Sequence, residues 1–135
     1  MKKINLLLLM LCSLLFFTSC EDRTEIKTDD LLGMWINKTD ATDTIVFINA
    51  WSEPAFEVKR GKELSGDFEV PKIGSGPYWY KIKKDTIYVN YGLSSYGCHI
   101  PYHITINKEK NEFSVNGNFT YYPSDEMYFT YKKIK

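Results

Sequence analysis

The stretch 78-YWYKIKKDTIYVNY-91 decides the fold class of this chain. In each half, every second residue is Tyr, Ile or Val, starting at Tyr78 and at Ile87. A period of two is that of a β-strand with one buried face. Lys84-Asp85 between the halves is a tight-turn signal. The stretch therefore predicts an antiparallel hairpin with one apolar face.

Similar short segments lie on both sides of this hairpin, separated by turn residues. After one capped turn at Thr28–Gly33 the chain has no helical period, and its 16 % aromatic content is typical of β surfaces. Asn116-Gly117 is a hairpin turn signal. Eight to ten strands of this kind fit an up-and-down barrel or a sandwich. Further strands are predicted at 34–37, 43–49, 56–60, 67–70, 102–106, 113–115, 119–122 and 127–131.

Residues 1–19 have the layout of a bacterial signal peptide. Lys2 and Lys3 precede an apolar run, 4–17, that is shorter than the ~20 residues needed to span a bilayer. Phe17-Thr18-Ser19-Cys20 then resembles the lipobox of bacterial lipoproteins, a large apolar residue and two small residues before a cysteine. The resemblance implies cleavage before Cys20 and lipid on its thiol. The alternative is an ordinary secretory signal that happens to contain a cysteine.

The lipobox also implies a domain organisation and a location. We expect a signal peptide at 1–19, a lipidated N-terminus with a flexible tether at 20–29, and one folded domain at 30–135. Two or three acyl chains on Cys20 would hold the protein durably on a membrane. Glu21 and Asp22 resemble the acidic start of surface-exported lipoproteins in Gram-negative bacteria. The expected location is thus the cell envelope, on the outer membrane.

Charge and cysteine content exclude two classes of protein. The chain has 17 basic and 17 acidic residues, or 15 and 17 without Lys2 and Lys3. Basic residues are not clustered, so no nucleic-acid partner is predicted. Cys12 lies in the signal peptide and Cys20 carries lipid, which leaves Cys98 alone. The mature domain therefore has no intramolecular disulfide to stabilise it.

Leu32-Gly33-Met34-Trp35 connects the strand pattern to a known architecture. A Gly-x-Trp at the start of the first strand, after a short turn, resembles the lipocalin-type barrels. The resemblance implies an all-β, antiparallel up-and-down barrel of about eight strands, filled by side chains or holding one small ligand. A small β-sandwich is the alternative. In lipocalins the tryptophan packs across one end of the barrel, often beneath an arginine of the last strand. Here that strand has Lys132 and Lys133.

Four aromatic residues are candidates for recognition of a ligand or partner. Flat rings stack on sugars, and Trp and Tyr dominate the binding energy of many interfaces. Trp51 is the most suggestive, because its neighbours at 49–54 are loop formers. The alternative is that its ring covers a barrel mouth. The candidates are Trp51, Trp79, Tyr88 and Tyr96.

Three residues are weak candidates for metal binding: Cys98, His99 and His103. Structural zinc sites usually need four ligands, and the strand pattern puts His103 on an outer face. No metal and no cofactor is therefore predicted. Gly74-Ser75-Gly76 lacks the strand–helix context of a nucleophile elbow and is interpreted as a flexible turn.

The residues favour binding over catalysis, because no triad or ligand set is recognisable. The first hypothesis is a non-enzymatic envelope lipoprotein that binds a small apolar or sugar-like ligand in or at the mouth of the barrel. The alternative is a surface adaptor or inhibitor that binds another protein through the barrel loops. A cavity of ~300 Å³ or more would favour the first. A filled barrel with an exposed apolar loop patch would favour the second.

Overall fold

A computed structural model describes residues 25–50, 53–95, 97–119, 123–124 and 126–135. The predicted signal peptide and Cys20 lie outside the described residues, as do Trp51 and Tyr96. The described residues form one short helix, α1 (Thr28–Leu31), and ten strands. The strands are β1 (Gly33–Asn37), β2 (Thr44–Ala50), β3 (Glu53–Lys59), β4 (Lys62–Ser65), β5 (Phe68–Pro71), β6 (Gly76–Lys83), β7 (Thr86–Tyr91), β8 (Ile100–Ile106), β9 (Glu112–Asn116) and β10 (Tyr128–Lys133).

Eight of these strands close into an antiparallel barrel. The order is β1-β2-β3-β6-β7-β8-β9-β10, and β10 pairs with β1 through Trp35↔Lys133 and Asn37↔Tyr131. Strands β4 and β5 form a separate hairpin that leaves the barrel between β3 and β6. The prediction of an all-β up-and-down barrel of about eight strands is confirmed, and the sandwich alternative is excluded. The hairpin predicted at 78–91 is also confirmed, as β6 paired with β7.

The up-and-down order gives the barrel two distinct ends. At one end, which we call the α1 end, lie α1, the β6–β7 and β8–β9 turns and the C-terminus. At the other end, the mouth, lie the β1–β2 turn, the β4–β5 hairpin, and the β7–β8 and β9–β10 loops. Ala50 and Glu53, which flank Trp51, pair with each other at the α1 end.

Aromatic rings run in contact through the interior of the barrel. Trp35 meets the edge of Phe113 near the α1 end, with ring centroids 4.9 Å apart. Phe47 links Phe113 to Phe56, and Phe56 meets Phe119, which comes from the β9–β10 loop. Each such ring pair adds ~0.5–1.5 kcal/mol to the burial of its apolar surface. Side chains therefore fill the interior from the α1 end towards the mouth.

The α1 end is closed around Trp35. Its indole Nε1–H donates to the carbonyl of Leu31 at 2.6 Å, which ties the last residue of α1 to β1. The Lys133 ammonium lies over the ring, 5.1 Å from the centroid, where the resemblance has an arginine. Ile26 is buried in the same core. The packed part of the chain thus begins before residue 30, the predicted start of the domain.

The prediction for the segment after β9 is wrong. Asn116-Gly117 is not a two-residue hairpin turn, because Asn116 pairs with Tyr128 of β10 and the Gly117 N–H donates to the Met127 carbonyl at 2.9 Å. Phe119, predicted to start a strand, has a φ of 61° and is buried; residues 120–122 lie outside the described ranges. A Cβ on Gly117 would lie 3.2 Å from the Tyr102 ring. Glycine is needed there for close packing, and the loop inserts Phe119 into the core.

Tyr80 provides a test of the filled interior. Its hydroxyl is buried without a hydrogen-bond partner among the described residues, and burial raises its pKa. Tyr80→Phe keeps the ring that packs against Phe47 and removes the isolated polar group. We expect the free energy of unfolding to rise by about 1 kcal/mol, measured by chemical denaturation.

Tyr131→Phe is the matched control for this substitution. The Tyr131 hydroxyl donates to a carboxylate oxygen of Asp43 at 2.9 Å. Its loss should lower the free energy of unfolding by about 1.5–3 kcal/mol, as for hydrogen bonds to charged groups. Equal losses in the two variants would mean that the Tyr80 hydroxyl has a partner after all.

Candidate functional site

A buried polar cluster, which we call the Asp43 cluster, lies near the mouth and consists of Asn37, Asp43, Arg60 and Tyr131. Asp43 Oδ2 accepts from Asn37 Nδ2 at 3.2 Å and from the Tyr131 hydroxyl. Arg60 Nε lies 3.7 Å from Asp43 Oδ1, and the two side chains are 11 % and 10 % exposed. Burial, and then the Asp43 charge, raise the pKa of Tyr131. The cluster joins β1 and β10 to the residue that precedes β2 and the residue that follows β3.

Arg60 also connects this cluster to the loops of the mouth. Its guanidinium donates to the carbonyl of Asn118, in the β9–β10 loop. Its backbone N–H donates to the Ser75 hydroxyl at 3.3 Å. Arg60 was not among the predicted site residues, although it is one of two arginines in the chain. That rarity was the available signal.

Next to Arg60, an open cleft of about 560 Å³ lies at the mouth between the base of the β4–β5 hairpin and the β7–β8 loop. We call it the mouth cleft. Its lining combines apolar side chains, four cations, one carboxylate and a glycine-rich loop. The lining residues are Glu57, Val58, Lys59, Arg60, Gly61, Lys62, Pro71, Lys72, Ile73, Gly74, Ser75, Gly76, Tyr91 and Leu93.

Hydrogen bonds hold the glycine-rich wall of the cleft in place. The Tyr78 hydroxyl donates to the carbonyl of Gly74 at 2.9 Å, and the Tyr91 hydroxyl donates to that of Ser75 at 3.4 Å. Gly76 has a φ of 130°, and a Cβ there would lie 3.2 Å from the Tyr91 ring. The segment interpreted as a flexible turn thus makes specific hydrogen bonds, and Tyr91 packs against it.

The predicted aromatic candidates within the described residues do not line the mouth cleft. Trp79 and Tyr88 are half-buried on the outer wall of the barrel, where they pair with Asn90 and Lys81 across β6 and β7. Among the described residues, Tyr91 is the aromatic residue that lines the cleft. Trp51 and Tyr96 lie outside the described residues, so their role as recognition residues stays a prediction.

The three weak metal candidates do not form a cluster. Cys98 and His99 are exposed in the β7–β8 loop. His103 lies on β8, with its Nε2 3.3 Å from Asp85 Oδ2. Within the described ranges, no group of three His, Cys, Asp or Glu side chains is close enough to hold a metal ion. The same ranges contain no helix with the length and apolar character needed to cross a membrane.

Known proteins give no independent indication of function. No model of a protein family, no curated protein and no solved structure matches this chain.

Proposed function

We propose that this protein is a membrane-anchored envelope lipoprotein, without enzymatic activity, that binds a small ligand at the mouth of its barrel. The mouth cleft supports this proposal most directly. Its volume of about 560 Å³ lies within the range of small-molecule sites, which is ~300–1,000 Å³. Because aromatic side chains fill the interior, the ligand would sit at the mouth and not inside the barrel.

The chemistry of the cleft fits a small ligand with apolar and polar parts. Ile73 and Leu93 are 67 % and 73 % exposed, so a ligand that covers them removes apolar surface from water. Tyr91 adds a ring at the rim, in contact with Tyr78. Since hydrogen bonds already fix the glycine-rich wall, binding would cost little ordering of the loop.

The adaptor or inhibitor hypothesis is favoured by a different feature, the β4–β5 hairpin. Leu64 and Phe68 are 76 % and 75 % exposed beside its turn. Exposed apolar side chains on a projecting element are typical of protein interaction sites. This second candidate function places the contact on the hairpin instead of in the cleft.

Hydrogen–deuterium exchange tests the proposal of a small ligand at the mouth. The full chain, in non-ionic detergent, is screened by thermal shift against small apolar and sugar-like compounds, and each stabilising compound is then mapped. We expect slower exchange at 59–62, 71–76 and 91–93, with no change in the turns at 83–86 and 106–112. Protection confined to the α1 end, or a screen without a stabilising compound, would contradict ligand binding at the mouth.

Membrane anchoring is proposed from the lipobox, and Cys20→Ala tests it. The variant lacks the thiol that would receive the diacylglyceryl group. We expect it to lose palmitate labelling, because the thiol that would carry the lipid chains is absent.

Cys12→Ala is the control for the anchoring test. Cys12 lies inside the predicted signal peptide, eight positions before the lipobox cysteine. This variant should be labelled with palmitate, as the protein without a substitution is. Palmitate labelling of the Cys20→Ala protein at the level of the unsubstituted protein would argue against lipid attachment at Cys20.

A further inference from the structure

We infer that the mouth cleft selects small amphiphiles with an anionic head group, a carboxylate or a phosphate monoester joined to an apolar body. This inference rests on the proposed function, since it names the class of ligand for the same cleft. Three properties of the cleft carry it: the balance of charge in the lining, the position of Lys72, and the exposed apolar side chains in the same lining.

The lining has an excess of positive charge. It contains four cations, Lys59, Arg60, Lys62 and Lys72, and one carboxylate, Glu57. Arg60 faces Asp43 and is mostly buried, so the three lysines are the groups that a ligand can reach.

Two of these lysines form ion pairs that a ligand can replace. Lys59 lies 3.5 Å from Glu57, and Lys62 lies 3.1 Å from Glu69, with each of these side chains at least half exposed. Ion pairs with this exposure are weak, because water solvates both partners. An anion that enters the cleft can therefore exchange with a carboxylate at small cost.

Lys72 is the lysine best placed to receive a negative group. No carboxylate of the described residues forms an ion pair with it. Asp40 senses its charge, but hydrogen bonds from Thr42 are the main reason that the pKa of Asp40 is lowered. The Lys72 backbone is held at both polar groups, with its N–H on the Gly61 carbonyl at 3.1 Å and its carbonyl on the Ser75 N–H at 3.0 Å.

Exposed apolar side chains share the lining of the cleft with Lys72. Ile73 follows Lys72 in the chain and, like Leu93 across the cleft, exposes most of its side chain. An inorganic anion would leave this surface in water. An amphiphile would pair its head group with Lys72 and cover Ile73 and Leu93 with its body, so both parts of the lining favour the same class of ligand.

Equilibrium dialysis with three related probes tests the inference. The probes are 1-naphthaleneacetate, 1-naphthyl phosphate and the neutral 1-naphthaleneacetamide, which share one apolar body. The full chain is kept in non-ionic detergent, with the same detergent on both sides of the membrane, so partition into micelles cancels. We expect saturable retention of at least one anionic probe, with an affinity at least tenfold higher than that of the amide. The two anionic arms distinguish a carboxylate ligand from a phosphate ligand.

Matched charge reversals locate the anion. Lys72→Glu should weaken binding of the preferred anionic probe at least tenfold and change binding of the amide less than twofold. Lys108→Glu makes the same change in net charge on an exposed residue of the β8–β9 turn, at the opposite end of the barrel. It should change the affinity for the anionic probe and the affinity for the amide by no more than twofold. Leu93→Asn should lower the affinity for every probe that the protein binds.

The failure of this inference and the failure of the proposed function give different results. One result would overturn anion selectivity but leave binding at the mouth standing. In that result all probes bind with similar affinity, Leu93→Asn weakens their binding, and Lys72→Glu does not. If no probe is retained, or if Leu93→Asn and Lys72→Glu are both without effect, this inference is overturned and the mouth cleft loses its support as the binding site.

Discussion

Replacing Trp35 by alanine is expected to lower the free energy of unfolding by about 3–5 kcal/mol, the usual cost of deleting a large buried aromatic side chain. Trp35 is fully buried, and its ring meets Phe113 edge-on. The variant also leaves the Leu31 carbonyl without its indole donor. Chemical denaturation of the full chain, followed by circular dichroism, measures the loss.

Two further variants separate the contributions at this end of the barrel. Trp35→Phe keeps an aromatic ring but removes the indole N–H, so it should cost less than Trp35→Ala and more than about 1 kcal/mol. Lys133→Met retains an apolar chain over the ring and removes its charge, so the change should be within about 0.5–1 kcal/mol, the size of an exposed cation–π contact. A Trp35→Ala protein destabilised by less than about 1 kcal/mol would show that the ring is not part of the core.

The barrel itself could be predicted from the sequence because its strands repeat a local signal. Alternation in 78–91 fixes which side chains face inwards, and the structure buries Tyr78, Tyr80, Ile87 and Val89 accordingly. The Gly-x-Trp at the start of β1 then favoured a barrel over a sandwich. Both signals act over a few residues, and local order of this kind is what periodicity detects.

The β9–β10 loop could not be predicted, because a long-range contact overrides its local signal. Asn116-Gly117 has the composition of a hairpin turn, but the Asn116 side-chain oxygen accepts from the backbone N–H of His103 at 2.5 Å. Phe119 likewise packs on Tyr102 of β8. Tertiary packing decides the conformation here, and no short window of sequence contains both partners.

The mouth cleft escaped prediction for the same reason. One wall consists of residues 57–62 and 71–76, and the other consists of Tyr91 and Leu93. The two walls meet because β6 runs from the mouth to the α1 end and β7, antiparallel to it, runs back. Two of the aromatic residues predicted to bind a ligand, Trp79 and Tyr88, lie instead on the outer wall of the barrel. Gly74 and Gly76 of the glycine-rich wall have positive φ values, which other residues rarely adopt.

Removing the carboxylate of Asp43 is the second substitution expected to have a large effect. Asp43→Ala removes the carboxylate that lies beside the mostly buried Arg60 guanidinium, and with it the oxygen that accepts from Tyr131 and Asn37. Breaking one side of a buried ion pair costs about 3–5 kcal/mol. We therefore expect a loss of that size in the free energy of unfolding, measured by chemical denaturation.

The controls for Asp43 use an exposed aspartate and a double variant. Asp67→Ala, in the turn of the β4–β5 hairpin, deletes a carboxylate that is exposed to solvent. It should change the free energy of unfolding by less than about 0.5 kcal/mol. Asp43→Leu combined with Arg60→Leu removes both buried charges. This double variant should be more stable than Asp43→Leu alone, because replacing both partners by apolar residues is often nearly neutral.

These variants also decide whether the Asp43 cluster supports the cleft. Arg60 contacts Asp43 through its side chain and Ser75 through its backbone, so it joins the core of the mouth to the glycine-rich wall. If that connection matters, Asp43→Ala should speed amide exchange at 74–76 more than at the distant β8–β9 turn. A loss of stability no larger than that of Asp67→Ala, with unchanged exchange at 74–76, would mean that the wall of the cleft is held independently of the Asp43 carboxylate.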